Sequence, residues 1–242
     1  MKNTIMIVLF IVSPFTTANN DSNIIFPKKM SNYSNIFSFD PLRGKVKESW
    51  QTMKSNNEIK LFVYSKFDSK GCLLEIKSLD TLTGMAFRLV KKGSFLSITN
   101  DNKNITKLFD LDDDCTILSR HGTQITFKYI NGLLSEVKDG EAIGTSYIYD
   151  NHNLLRENNC KIGYCGGIKK TNFTYSFNAL NLTEVLTIYT PTDRKGVTAT
   201  REHKKCNIFD SNNNPIQCAL TVSYSDGSEE KNTIIYKTTY YE

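Results

Sequence analysis

Asp110-Leu111-Asp112-Asp113-Asp114 opens with carboxylates at alternate positions, as calcium loops do. A loop of that kind needs a glycine at its sixth position and a glutamate at its twelfth. Here those places hold Cys115 and His121, so the run reads as an exposed acidic turn. Gly163-Tyr164-Cys165-Gly166-Gly167 could present a nucleophilic thiol, with His152 or His203 as base. A reactive cysteine needs that base and no disulfide partner. Cys160 lies five residues before Cys165 and the chain has six cysteines, an even number, so a disulfide is the expected state. Arg43 and Trp50 are the candidate binding residues, because a guanidinium beside an indole can stack on and hydrogen-bond a sugar or a peptide. The competing structural reading, which the residue types favour, packs Trp50 into the core and lets Arg43 fix a turn after Asp40-Pro41. The three histidines (His121, His152, His203) are scattered and no CxxC pair occurs, so neither a metal nor another cofactor is expected. Gly-x-Ser-x-Gly, phosphate-binding glycine loops and His-Glu-x-x-His are all missing, and the chain reads as a non-enzyme.

The cysteines imply an oxidising compartment, and the N-terminus agrees. Lys2 precedes the apolar run Ile5 to Val12, and Thr16-Thr17-Ala18 places small residues at a cleavage site. That is the layout of a secretory signal over residues 1–18, and its apolar run is too short for a bilayer anchor. No later stretch approaches the length of a transmembrane helix. Six cysteines allow 15 pairings, and nearest-neighbour logic gives Cys72–Cys115, Cys160–Cys165 and Cys206–Cys218. Net charge is +5, with lysine pairs at 91–92, 169–170 and 204–205 spread along the chain as a solvated surface. Without a dense basic block, nucleic acid is not an expected partner.

The elements that would position these residues are strands. Residues 19–35 are rich in Asn and Ser and read as a flexible tether, leaving 36–242 as a single β domain. From Val46 onward, β-branched and aromatic runs alternate with Asn, Asp, Gly and Ser. One unit recurs: an aromatic, Asp, a polar turn, then apolar residues. It appears at Phe67-Asp68, Tyr149-Asp150 and Phe209-Asp210, with weaker relatives at Tyr129-Ile130-Asn131-Gly132 and Phe177-Asn178. The aromatic ends a strand, Asp bonds the turn backbone, and Gly or Asn takes positive φ. The unit resembles the tyrosine-aspartate repeats of large surface proteins. Cys206 and Cys218 flank one such turn and can meet across adjacent strands.

Two end motifs carry a second resemblance. Ser34-Asn35-Ile36-Phe37-Ser38-Phe39-Asp40-Pro41-Leu42-Arg43-Gly44-Lys45-Val46-Lys47, and the run from Cys206 to Cys218 with the closing Thr239-Tyr240-Tyr241, are similar to the YnfC-like family of uncharacterised enterobacterial lipoproteins. The similarity spans roughly residues 30–241, includes Cys72 and Cys115, and makes Cys160 and Cys165 an addition in this chain. It implies an envelope protein of unknown activity and brings no catalytic residues. A lipoprotein carries its lipid on a cysteine just after the signal, and Ser13 to Asn20 has none. The expectation is therefore an exported, unlipidated protein, periplasmic or secreted and at most peripheral to a membrane.

Together these observations predict a mainly β protein. It is an antiparallel meander of successive hairpins in a twisted, curved, disulfide-stapled sheet with very little helix. Whether the sheet closes is not legible. The first functional expectation is a structural or interaction module of the envelope, with an envelope protein or a surface polymer as its unknown partner. The alternative is a small-ligand or carbohydrate-binding β protein.

Overall fold

Sixteen strands follow one short helix in the computed structural model, which describes residues 24–81, 83–99, 105–160, 168–191 and 199–242. In chain order they are α1 (Lys28–Phe37), β1 (Val46–Ser55), β2 (Glu58–Phe67), β3 (Leu73–Asp80), β4 (Met85–Lys92), β5 (Phe95–Thr99), β6 (Ile105–Leu111), β7 (Ile117–Arg120), β8 (Ile125–Ile130) and β9 (Leu133–Asp139). Then come β10 (Ala142–Tyr149), β11 (Leu155–Cys160), β12 (Ile168–Asn178), β13 (Asn181–Pro191), β14 (Ala199–Phe209), β15 (Pro215–Tyr224) and β16 (Glu229–Tyr240). Every strand pairs antiparallel with the next, and β1 also pairs β16, with Gln51 opposite Tyr236, so the meander closes into a barrel. Bulges such as those between Val46 and Glu48 and between Cys206 and Ile208 bend the ladders toward closure.

The hairpins at one end of the barrel share a turn with a specific cause. In the β2–β3 turn, Asp68 Oδ1 accepts from the backbone N–H groups of Lys70 and Cys72, both at 2.9 Å. Asp150 Oδ1 does the same for His152 and Leu154 at 2.9 Å, and Asp210 Oδ1 for Asn212 and Asn214 at 2.9 and 3.0 Å. Asp112 Oδ1 accepts from Thr116 N–H at 2.7 Å in the β6–β7 turn. Each turn places the residue three after Asp at positive φ: Gly71, Cys115, Asn153 and Asn213. Short polar side chains and glycine take that conformation at the least steric cost. The acidic run is therefore a fourth copy of the hairpin unit.

A sixteen-strand barrel left empty would enclose a wide channel. Here the chain preceding β1 closes the end that carries the Asp turns. Residues 24–35, expected as part of a flexible tether, are instead packed: Ile24, Phe26, Met30 and Tyr33 are buried. Met30, Tyr33 and Phe37 fall on one helical stripe and bury it, which composition alone hides behind the intervening Asn and Ser. Ser38 ends α1 in the left-handed region at φ 56°.

This segment then satisfies the turns it crosses. Lys28 Nζ donates to Asn131 O at 2.7 Å, and Asn32 brackets the next residues by donating to Gly132 O and accepting from Leu134 N–H, each at 2.9 Å. Tyr33 OH donates to Cys115 O at 2.6 Å. Phe26 N–H donates to His152 O at 3.0 Å, and Asn153 Nδ2 donates to Phe26 O at 2.9 Å.

The outward face mixes charged pairs with exposed aliphatic side chains such as Ile148, Ile188, Ile208 and Ile235. Cross-strand pairs include Glu75–Arg88 at 2.7 Å, Glu157–Lys170 at 2.8 Å, Glu184–Lys205 at 3.2 Å and Glu48–Lys66 at 3.4 Å. No helix among the described residues is long and apolar enough to cross a membrane.

Candidate functional site

The interior is filled on one side and hollow on the other. Inward residues of β1 to β7, including Val63, Phe67, Ile76, Leu89, Leu96 and Ile117, pack with Tyr33, Phe37 and Leu42 into one apolar core. Between the capping segment and β10 to β16 a chamber of about 530 Å³ remains, a volume ordinary for a small-molecule site.

Strand alternation decides what lines it. One inward row crosses the sheet as Tyr147, Asn158, Thr171 and Tyr189. The next runs Phe173, Thr187 and Glu202, and the third Tyr175, Val185, Lys204 and Leu220. Gln51, Met53 and Leu61 face them from β1 and β2, and Phe39 and Asp40 from the capping segment.

Charge in the chamber is organised around two carboxylates. Lys204 Nζ contacts one oxygen of Asp40 and Tyr236 OH donates to the other. Gln51 holds the Asp40 backbone in both directions, at 3.0 Å each. Burial would raise the Asp40 carboxyl, but Lys204 and Tyr236 outweigh it and hold it below the usual range. Asp40 is thus an anchor that ties the capping segment to β14 and β16. Glu202 differs. Burial pushes its carboxyl up, against a hydrogen bond with Tyr189 and the charge of Lys204. Desolvation also pushes the Tyr147 hydroxyl up to about 12.

The residues singled out in the sequence do not converge. Arg43 lies at the capped end, where its N–H donates to Asn214 Oδ1 at 2.8 Å and its Nη2 to Asn213 O at 2.6 Å. Trp50 is not in the core. It lies on the outer face, with its ring 5.3 Å from that of Tyr64 and Lys237 Nζ 5.3 Å above it. β1 turns Ser49, Gln51 and Met53 inward, so Trp50 must face out.

Asp110 Oδ2 accepts from Ser119 at 2.9 Å, and Asp110 Oδ1 lies 3.0 Å from His121 Nδ1. His152 stacks on Phe177 at 4.8 Å, and His203 lies 3.4 Å from Glu184. Among the described residues, no group of three or more metal-ligating side chains forms. Cys72 is bonded to Cys115 and Cys206 to Cys218, with Cα separations of 5.6 and 4.1 Å. Cys160 is disulfide-bonded, while Cys165 and the rest of residues 163–167 lie outside the described residues.

The chamber residues were hidden inside Arg201-Glu202-His203-Lys204-Lys205, which reads as a surface charge run. Lys204 is not part of a solvated surface: it turns inward to Asp40. The signal that could have found it is Cys206. A disulfide cysteine facing the interior carries Lys204 and Glu202, two and four residues back on the same strand face, inward with it.

The whole chain, residues 1–241, matches an uncharacterised protein family, UPF0257. A UPF0257 lipoprotein YnfC from Salmonella typhi is 26% identical over 232 residues, covering 92% of this chain and 91% of the relative. The protein of the same name from Salmonella paratyphi B is 28% identical over 153 residues, covering 62% of this chain and 63% of the relative. By the extent of the match, the chain belongs to the uncharacterised family UPF0257.

Proposed function

We propose that the protein is an envelope-associated binder that holds a small molecule inside its barrel. The observation that carries this reading is the chamber of about 530 Å³, lined by aromatic rings and hydrogen-bonding side chains, in a barrel whose other half is packed solid. The relatives' name, lipoprotein, supports a place at the bacterial envelope. The cross-strand ion pairs on the outer face support a barrel that stands in water, periplasmic or secreted, and at most peripheral to the membrane. In this reading the protein binds its ligand rather than converting it, and Asp40, engaged by Lys204 and Tyr236, serves as an anchor of the capping segment.

Native mass spectrometry of protein purified from its own envelope tests this. A small molecule retained by the wild type and lost from Thr187→Trp, which fills the chamber, is the expected result. Protein of bare mass, with the variant showing an unchanged thermal response to a small-molecule panel, would refute it.

The outer face favours a second reading, a structural or interaction module for an envelope protein or surface polymer. Lys237, Trp50, Tyr64 and Lys77 form one outward cross-strand row, with Lys77 Nζ 5.1 Å above Tyr64. Crosslinking in the native envelope that captures one reproducible partner through Trp50, and fails for Trp50→Ala, would support it.

A further inference from the structure

We infer that the chamber takes an organic cation, an ammonium or guanidinium carried on an aromatic or apolar body, with Glu202 as its counter-ion. The inference rests on the lumen-binding reading and narrows it to one chemical class.

Asp40 and Glu202 are the carboxylates of the chamber among the described residues. Lys204 is the cation on the chamber wall, and Asp40 and Tyr236 consume it in one network. Glu202, two residues away on the same face of β14, has a hydrogen bond with Tyr189 and forms no salt bridge among the described residues. Its cross-strand row continues through Val222 to Glu230, which accepts from Tyr224 OH at 3.0 Å. Among the described residues neither carboxylate forms a salt bridge, and Glu202 is the one that lines the chamber.

The walls beside Glu202 supply the rest of the recognition. Thr187 is its direct neighbour and Phe173 the next residue in the row, with Tyr189 bonded to the carboxyl. An ammonium over such rings gains a cation–π contribution that strengthens as water is excluded. Leu182, Val185 and Leu220 leave an apolar volume for the body of the ligand. An anion would meet the Glu202 carboxylate, which an ammonium would neutralise. The overall charge of +5 makes the acidic wall distinct from the basic exterior.

The test is calorimetric titration of the mature protein with 2-phenylethylamine and 4-phenylbutylamine, each against its alcohol counterpart. The expected result is a preference of roughly tenfold or more for the amines, as one charge-assisted hydrogen bond would give. Glu202→Gln, which keeps the shape of the side chain, should erase that preference. Equal binding of amines and alcohols, or a preference that survives Glu202→Gln, would overturn the cation assignment and leave the chamber as a binding site. No binding of any of the four probes would likewise overturn the cation assignment, and binding that Thr187→Trp leaves intact would overturn the chamber reading as well.

Discussion

The β1–β7 side of the barrel and the β10–β16 side are built from the same hairpin unit, yet one is solid and the other hollow. Asp68 and Asp112 shape turns on the first side, and Asp150 and Asp210 shape equivalent turns on the second. What differs is the inward row. Ile76, Leu89 and Leu96 fill the first side at 1% exposure or less, while Asn158, Thr187, Glu202 and Lys204 face the second. Backbone architecture and interior chemistry are therefore separable here. The turns and the ring of hydrogen bonds fix the barrel, and the choice of inward residues decides whether a space is kept.

The staples give the largest test of that contrast. Cys72–Cys115 joins two Asp turns on the solid side and closes 43 residues, while Cys206–Cys218 closes 12 on the hollow side. Chain-entropy arguments put the first at about 4 kcal/mol and the second at about 3 kcal/mol. Urea unfolding of the Cys72→Ser/Cys115→Ser and Cys206→Ser/Cys218→Ser variants should keep that order. A reversed order would mean that the hollow side depends on its staple more than chain entropy allows.

Core truncation comes next. Leu96→Ala should cost about 3 kcal/mol, because the solid side cannot collapse into the gap. Leu220→Ala, already bordering the chamber, should cost about 1 kcal/mol in the same assay. Equal losses would show that the chamber is closed up in solution.

The shared turn is a smaller probe. Asp210 accepts from two backbone N–H groups and from Tyr240 OH, so Asp210→Ala should cost about 2 kcal/mol. Asp112, whose carboxylate accepts from Thr116 N–H, should cost about 1 kcal/mol on the same change. Calcium should leave the melting temperature of the wild type where it was, since Asp112 serves a turn.

Glu202→Gln carries the smallest effect and a pH signature. The carboxyl of Glu202 is raised in the folded state, so its favourable contribution is complete below the unfolded value of 4.5 and lost as pH rises through the folded value. Glutamine does not ionise. The variant should melt higher than wild type at pH 7 and lose that advantage near pH 4. An advantage that persists at pH 4 would assign the gain to packing instead.

Strands, hairpins and the pairings Cys72–Cys115 and Cys206–Cys218 were legible because their signals are local. Phe67-Asp68 and Tyr149-Asp150 announce their turns within a few residues. Asp112 escaped the same reading because Leu111 replaces the aromatic and Cys115 takes the positive-φ place that Gly or Asn holds elsewhere. The capping helix escaped because its stripe of Met30, Tyr33 and Phe37 is diluted by Asn and Ser, whose own partners lie about a hundred residues away, as Asn32 does from Gly132. Trp50 was misplaced because a large aromatic on a strand fits either face, and only the neighbours Ser49 and Gln51, buried inward, decide it. The chamber itself was not legible. It depends on the register that sets Glu202 opposite Thr187 and on closure of β1 against β16, and both are non-local.

The capping segment has a consequence for how the molecule is made. Ribosomes release residues 24–45 before any strand, yet Arg43 binds Asn213 and Asn214, and Lys45 O accepts from Tyr241 N–H near the far end of the chain. The first-made residues must therefore wait for the last-made ones. Until β16 arrives, the growing meander has two unpaired edges and an uncovered end, the state most exposed to wrong pairing between chains. Loss of the final dozen residues would then remove the seam and the closure of the cap in one step, and a barrel of this kind comes into being only when its whole length is present.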